Sequence, residues 1–390
     1  TLKGRVKASV VQEDLPKAYG NDWKTHPLKA DIELAKDKEI QDMLLIPIFG
    51  KPTKLPKEAK AISLMWVLTA KADEQEYYKT IKARCVMMGN QERHTLDKRD
   101  AYAPVANPTT YRVLLALHLG DPDVQYDQMD IGQAYLSSPM KRKVYVRHPP
   151  GFVVYLDEQD RLNYRELTPG ERPHTVLPLL RALYGGMECG RLFYDVFVEF
   201  HIKHGFIQCH QDKCLLMLFK PNGDFIKIVF HVDDGMIARK GEALWKWYLA
   251  ELSNRFKYTV GPLTKILGMT IEIDYKSQQI EINQQEQIYK MLRTFEMEKE
   301  GRRVETPCPT GPAPCKADVP TDTGELRRMQ QSFDMYAAVG HLNYLQCYTR
   351  PDISYPLKAL SKAVIAFGEK HVAWAKHVMR YLRSPANMPL

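Results

Sequence analysis

Residues 214–239 constrain this chain more than any other stretch. Three short apolar runs, 214–219, 225–232 and 236–239, are separated by Pro221-Asn222-Gly223-Asp224 and by Asp233-Asp234-Gly235. Asn-Gly between apolar runs is a strong hairpin signal, because tight hairpin turns need positive φ, which these residues accept. The runs are too short for helices and suit strands. The stretch therefore predicts an antiparallel meander with two carboxylates at one of its bends. On conformational grounds alone, Asp and Gly at a bend need no further purpose.

The remaining pattern mixes strands and helices, which makes the expected fold class α+β. Residues 124–131 read as a strand ending near Asp130, and 62–70 and 80–88 as a hairpin with the polar tip 71–79. Helical periodicity marks 31–45, where Ile32, Leu34, Ile40, Met43 and Leu44 share a face, and also 111–119, most of 179–204, a stretch from 244, 335–347 and 369–382. Residues 271–282 read as a hairpin around Lys276-Ser277. The polar residues 1–30 read as a linker or arm. The proline-rich residues 305–324 read as an extended linker. With 390 residues, the chain fits two or three compact units or one lobed domain.

A formal charge of +8 is an excess of base compatible with a phosphate-binding groove. Seven scattered cysteines suggest neither a disulfide framework nor a four-ligand zinc site, so a reducing, intracellular setting is expected. His201, His204, Cys209, His210 and Cys214 are chemically competent zinc ligands, but lack a repeated close spacing. No window approaches 18 consecutive apolar residues, so no membrane partner is expected. The chain lacks an initiator Met and reads as a piece of a longer polypeptide.

Asp130, Asp233 and Asp234 carry the most specific chemistry. Phosphoryl transfer with two divalent metals needs carboxylates shared between ions roughly 3.5–4 Å apart. Two adjoining strands, one ending near Asp130 and one turning at Asp233-Asp234, supply them if they pair.

The motifs around these acids carry a family resemblance. Asp130-Ile131-Gly132-Gln133-Ala134-Tyr135-Leu136 and Val232-Asp233-Asp234 resemble the two catalytic motifs of reverse transcriptases. Pro149-Pro150-Gly151-Phe152, Ala182-Leu183-Tyr184-Gly185, Lys82-Ala83-Arg84-Cys85-Val86 and Ala103-Pro104-Val105 are similar to segments of copia-type retrotransposon enzymes. So are Leu267-Gly268-Met269, Gly340-His341-Leu342-Asn343-Tyr344-Leu345, Thr349-Arg350-Pro351-Asp352-Ile353 and Arg380-Tyr381-Leu382. Their order and number make chance agreement implausible.

The resemblance implies a right-hand polymerase: fingers over 31–125, a palm with interleaved fingers elements over 126–240, palm end and thumb over 241–304, and a connection region over 325–390. It implies RNA and DNA primer-template and deoxynucleoside triphosphates as partners. The implied location is cytoplasmic, within a virus-like particle, or nuclear. Two Mg²⁺ ions, or Mn²⁺, are the implied cofactors. They would be held by Asp130, Asp233 and Asp234, with the carbonyl of Ile131 as a further ligand. Arg84 and Lys71 are implied to meet the triphosphate, and Tyr135 to exclude a ribose 2′-hydroxyl. Gly185 is implied to permit close approach of the nascent base pair, and Leu267-Gly268 to grip the primer. Each has a plainer alternative: solvated hairpin charges, a core tyrosine, a loop glycine and an ordinary strand turn.

The sequence departs from the family pattern at Gly186-Met187-Glu188-Cys189-Gly190, where Glu188 brings an acid towards the expected nucleotide site. It also has His231 before Val-Asp-Asp and Gly235 after it. These departures, with no integrase or RNase H visible in the sequence, motivate the alternative of a non-catalytic protein recruited into a host complex.

Overall fold

The computed structural model is α+β, and the structure describes residues 3, 6–16, 22–73, 77–92, 97–156, 162–168, 174–298 and 304–383. The chain divides into two compact units. One comprises Thr1–Val105, Ile131–Ile207 and Leu252–Lys257; the other comprises Ala106–Asp130, Gln208–Glu251 and Tyr258–Leu390.

The first unit is built on a long hairpin, Leu64–Ala72 against Tyr78–Met87. Its tip residues 74–76, part of the expected polar tip, lie outside the described residues. Strand alternation sends Trp66, Ile81, Ala83 and Cys85 inward, leaving Lys71, Thr80 and Lys82 exposed and Arg84 half-buried on the other face. A three-stranded sheet follows, in which Pro139–Val146 pairs parallel with Ala61–Ile62 and antiparallel with Leu177–Arg181. The last strand corrects the helical reading of 179–204. Leu177 and Leu179 alternate inward and pair with Val146 and Val144, and the helix begins only at Cys189, after Gly185 takes φ +86°.

Helix Lys29–Leu44 forms as expected, but its buried stripe is Ile32, Lys36, Ile40 and Met43, whereas Leu34 is 69% exposed. Lys36 is buried because two indole faces replace water: its Nζ lies 3.6 Å from the Trp23 ring centroid and 5.3 Å from that of Trp66. Burial lowers its pKa to about 8. The described part of residues 1–30 is not an irregular arm. Helix Ala8–Asp14 and the 3₁₀ turn Asp22–Lys24 bury Val11, Leu15 and Trp23 with Leu28, Ile32, Tyr78 and Ile81. Apolar residues scattered in a polar segment found a partner in the hairpin, which periodicity does not reveal.

The central sheet has the strand order Lys257–Pro262, Gln125–Gly132, Asp234–Lys240, Phe225–His231, Leu215–Phe219 and Ile207–Gln208. In the second unit, helix Pro108–Leu117 starts at the Asn107 cap, whose side chain accepts from the Thr109 amide. The Tyr126 hydroxyl ties this helix to the sheet by donating to the Leu115 carbonyl at 2.7 Å. Asp212 accepts from the Asn107 amide (3.0 Å), the Thr110 hydroxyl (2.5 Å) and the Cys214 amide (2.9 Å).

A smaller sheet, Lys265–Ile266, Met269–Asp274 and Gln279–Asn283, precedes helix Gln285–Thr294. Residues 305–324 are more than a linker: they contain the 3₁₀ turn Lys316–Asp318, and Cys308 and Ala313 pack against the C-terminal core. That core joins helices Met335–Tyr348, Ser354–Ser361 and Glu369–Leu382 through Leu342, Leu345, Leu357, Trp374 and Val378. Two sequence motifs meet here. Arg350 forms a two-pronged ion pair with Asp352 (3.0 and 2.7 Å), and the Tyr381 hydroxyl donates to the same carboxylate at 2.7 Å. Among the described residues, no helix is long and apolar enough to cross a membrane.

His201, inside helix Cys189–Lys203, is fully buried, and its Nδ1 donates to the Phe197 carbonyl at 2.7 Å. Burial pulls its pKa down to about 4. The unfolded chain, with an ordinary histidine near 6.5, therefore binds more protons between those values, and stability falls as pH falls through that window. Urea unfolding at pH 7.5 and pH 4.5 should show a steeper acid loss for wild type than for His201→Gln, by up to about 3 kcal/mol.

Candidate active site

The acidic hairpin turns one residue earlier than the sequence suggests. Phe225–His231 and Asp234–Lys240 pair with His231 opposite Asp234, so Val232 and Asp233 are the two loop residues, and Asp234 and Gly235 belong to the returning strand. Val232 has φ +59°. A β-branched residue rarely adopts that region, at a cost on the order of 1–3 kcal/mol. Gly235 is a strand residue because it lies opposite Met129, whose Cε would be 3.1 Å from an added Cβ.

The returning strand then pairs with Gln125–Gly132 so that Asp234 stands directly opposite Asp130. Directly opposed residues of an antiparallel pair project to the same face, with Cβ atoms about 4.5–5.5 Å apart. Asp233 sits at the adjoining tip. Partial desolvation, then the charges of Asp233 and Asp130, push the Asp234 carboxyl above the usual range, although the residue is exposed at the surface. Asp233 and Asp234 form no ion pair among the described residues. A cavity of about 230 Å³ opens beside them, lined by Gln128, Asp130, Asp234, Gly261 and Lys265 among others.

Among the described residues, no three His, Cys, Asp or Glu side chains are already gathered around one metal-sized point. The three aspartates are therefore neighbours on one strand pair rather than a finished cage. Ile131, next along the Asp130 strand, is buried.

Leu267 and Gly268 form the two-residue turn between Ile266 and Met269, both left-handed, with φ +47° and +71°. The first strand of this hairpin was not legible, because two residues carry no alternation. Two residues not singled out in the sequence hold it. Gln128 Oε1 accepts from the Lys265 amide at 3.0 Å and the Thr264 amide at 3.2 Å, and the Tyr344 hydroxyl donates to the Leu267 carbonyl.

Arg84, Tyr135 and Gly185 lie together in the first unit. Tyr184 is the hub, with the Arg84 guanidinium 5.6 Å from its ring centroid and the Tyr135 ring 5.2 Å away, edge-on. Tyr135 is half-buried and packs beside Ala182, Cys189 and Leu192. Lys71 shares the exposed hairpin face with Arg84 but lies four residues further along its strand pair, roughly 13 Å at strand rise. The Ala-Leu-Tyr-Gly motif was the sequence signal for Tyr184.

Glu188, the acid that departs from the family pattern, is only 6% exposed and is engaged. Arg142 Nε donates to it at 2.5 Å, while Arg142 Nη2 pairs with fully buried Glu92, whose other oxygen accepts from the Met187 amide at 2.9 Å. Glu188 is thus tied into the fold, sharing one guanidinium with Glu92.

Gly185 tests this arrangement. Its φ is +86°, and an added Cβ would stand 2.2 Å from the Met87 carbonyl oxygen. Gly185→Ala should therefore destabilise by on the order of 2–4 kcal/mol in chemical unfolding. Gly190, near the start of helix Cys189–Lys203 with only Ala103 at 3.7 Å from an added Cβ, should accept Ala with a change no worse than about 0.5 kcal/mol.

Comparison with known proteins agrees with the motif reading. Residues 51–309 match the family model described as "Reverse transcriptase (RNA-dependent DNA polymerase)". The chain is 27% identical over 360 residues to the retrovirus-related Pol polyprotein from transposon TNT 1-94 of Nicotiana tabacum, covering 92% of this chain and 26% of that protein. It is 27% identical over 333 residues to the corresponding polyprotein from transposon RE1 of Arabidopsis thaliana, covering 85% and 21%. The chain thus spans about a quarter of the length of the relatives it matches. A foamy viral protease-reverse transcriptase in complex with double-stranded DNA aligns over 90% of this chain and 48% of its own, at 13% identity and a TM-score of 0.48. With a family model covering well over half its residues and its ordered motifs in place, the chain belongs to the reverse transcriptase (RNA-dependent DNA polymerase) family, in its copia-type retrotransposon branch.

Proposed function

We propose that this chain is the polymerase portion of a copia-type reverse transcriptase, which extends a DNA primer on an RNA or DNA template. The observation that carries the reading is the pairing of Asp130 with Asp234, with Asp233 at the adjoining tip. By this reading 31–125 are fingers, 126–240 the palm with interleaved fingers elements, 241–304 the palm end and thumb, and 325–390 the connection region.

The donor set fits two hard divalent ions, Mg²⁺ or Mn²⁺: the side chains offer only oxygen, and Asp234 stands opposite Asp130 with Asp233 at the adjoining tip. Asp130, Asp233 and Asp234, with the Ile131 carbonyl, would hold the ions after side-chain rotation on a face they already share. When bound, such ions stabilise the attacking and leaving oxygens of phosphoryl transfer. The chain's own groups then bind and orient. The Arg84 guanidinium offers paired donors to a triphosphate, with Lys71 as a second, more distant cation on the same hairpin face. Tyr135 sets a ring beneath the incoming sugar, Gly185 lets backbone approach the base pair, and the Leu267-Gly268 turn meets the primer. The burial of Glu188 and its contact with Arg142 support this reading over a recruited, non-catalytic protein, since the acid at 186–190 is held inside the fold rather than turned out towards nucleotide.

Primer extension with Mg²⁺ tests the proposal: a folded wild-type preparation should incorporate deoxynucleotides, and a folded preparation that incorporates none refutes it. Asp233→Asn should lower extension by on the order of 10³-fold and leave primer-template binding largely intact. Asp130→Asn should melt no earlier than wild type without metal, since it relieves repulsion with Asp234.

A further inference from the structure

We infer that Tyr344 and Gln128 are positioning residues for the primer, fixing the Leu267-Gly268 turn from two sides. The inference rests on the polymerase reading in taking this turn as the primer contact.

Only the two residues Lys265–Ile266 pair across this turn with the longer strand Met269–Asp274, which holds the turn weakly by itself, and the turn carries a leucine in the left-handed region. Its shape must be imposed from outside. From the helix Met335–Tyr348, the Tyr344 hydroxyl donates to the Leu267 carbonyl. The same oxygen fills the space beside Gly268: an added Cβ there would lie 2.6 Å from it and 3.2 Å from Gln287 Nε2. The glycine and the hydroxyl fit each other.

From the opposite direction, Gln128 Oε1 accepts from the Thr264 and Lys265 amides at the start of the hairpin. Gln128 lies two residues before Asp130, so both side chains project from the same face of one strand. One strand therefore carries a carboxylate of the acidic site and the clamp on the primer-facing turn. The cavity beside Asp130 and Asp234 is lined by Gln128 and Lys265 as well, so the turn's root borders the space next to the acids. Tyr344 completes the linkage from the C-terminal third, which gives the Gly-His-Leu-Asn-Tyr-Leu motif a role at the site without any charge of its own.

Tyr344→Phe removes only the hydroxyl, and Gln128→Leu removes the carboxamide, acceptor and donors together, at nearly constant volume. Binding of a fluorescein-labelled DNA primer annealed to an RNA template, read by anisotropy, should weaken about fivefold in each variant, as expected for one lost hydrogen-bonding group. The KM for primer-template should rise in step. The KM for deoxynucleotide should not change, and the thermal midpoint should stay within about 4 °C of wild type. Unchanged primer-template affinity overturns the inference, as does a general loss in which both KM values, kcat and the thermal midpoint worsen together. If wild type binds primer-template but does not extend it, the polymerase reading fails and the affinity comparison still decides the positioning roles. If wild type does not bind it, both fall.

Discussion

The antiparallel register between Gln125–Gly132 and Asp234–Lys240 is the constraint on which the rest depends. Side chains in a strand alternate with period two, so a slip of one residue would send Asp130 and Asp234 to opposite faces of the sheet. The slip is prevented in two ways. Met236, Ile237 and Ala238 are fully buried on the returning strand, and any other register would expose part of that surface. The two-residue loop at Val232-Asp233 sets the offset of the hairpin that delivers Asp234.

Both unfavourable features of this region lie within three residues of one another. Val232 holds a backbone conformation that a β-branched side chain disfavours, and Asp234 faces two like charges. Neither helps folding, and the well-paired sheet around them sustains both. Local strain beside like charges in a well-paired sheet is a feature that stability alone does not select.

Elsewhere the charged motifs serve the fold. Arg239 pairs with Asp127 at 2.5 Å while lying 4.6 Å from the Trp245 ring centroid. Arg350 is held by Asp352 and Tyr381, and Arg142 lies between Glu92 and Glu188. In sequence, Glu188 looked like a threat to nucleotide binding, whereas in the structure it is half of a buried ion pair. Such pairs are costly to break from one side, because removing a partner strands a buried charge. Among the described residues, Asp233 and Asp234 form no such ion pair, which makes them the more informative acids.

The sequence by itself determined the meander at 214–239, the long hairpin, helices 335–347 and 369–382, and the identity of the three aspartates, because alternation, turn residues and ordered motifs are local signals. It also pointed to Arg84, Tyr135 and Gly185, through motifs rather than through any visible geometry. Only the tertiary structure decided that the bend falls at Val232-Asp233, that Lys36 rather than Leu34 is buried, and that Ala8–Asp14 and Asp22–Lys24 fold. Only there do Gln128 and Tyr344 converge on one turn. The physical reason is the same in each case: these outcomes depend on what a residue meets across a strand pair or from a distant helix, and a linear pattern carries no record of that partner.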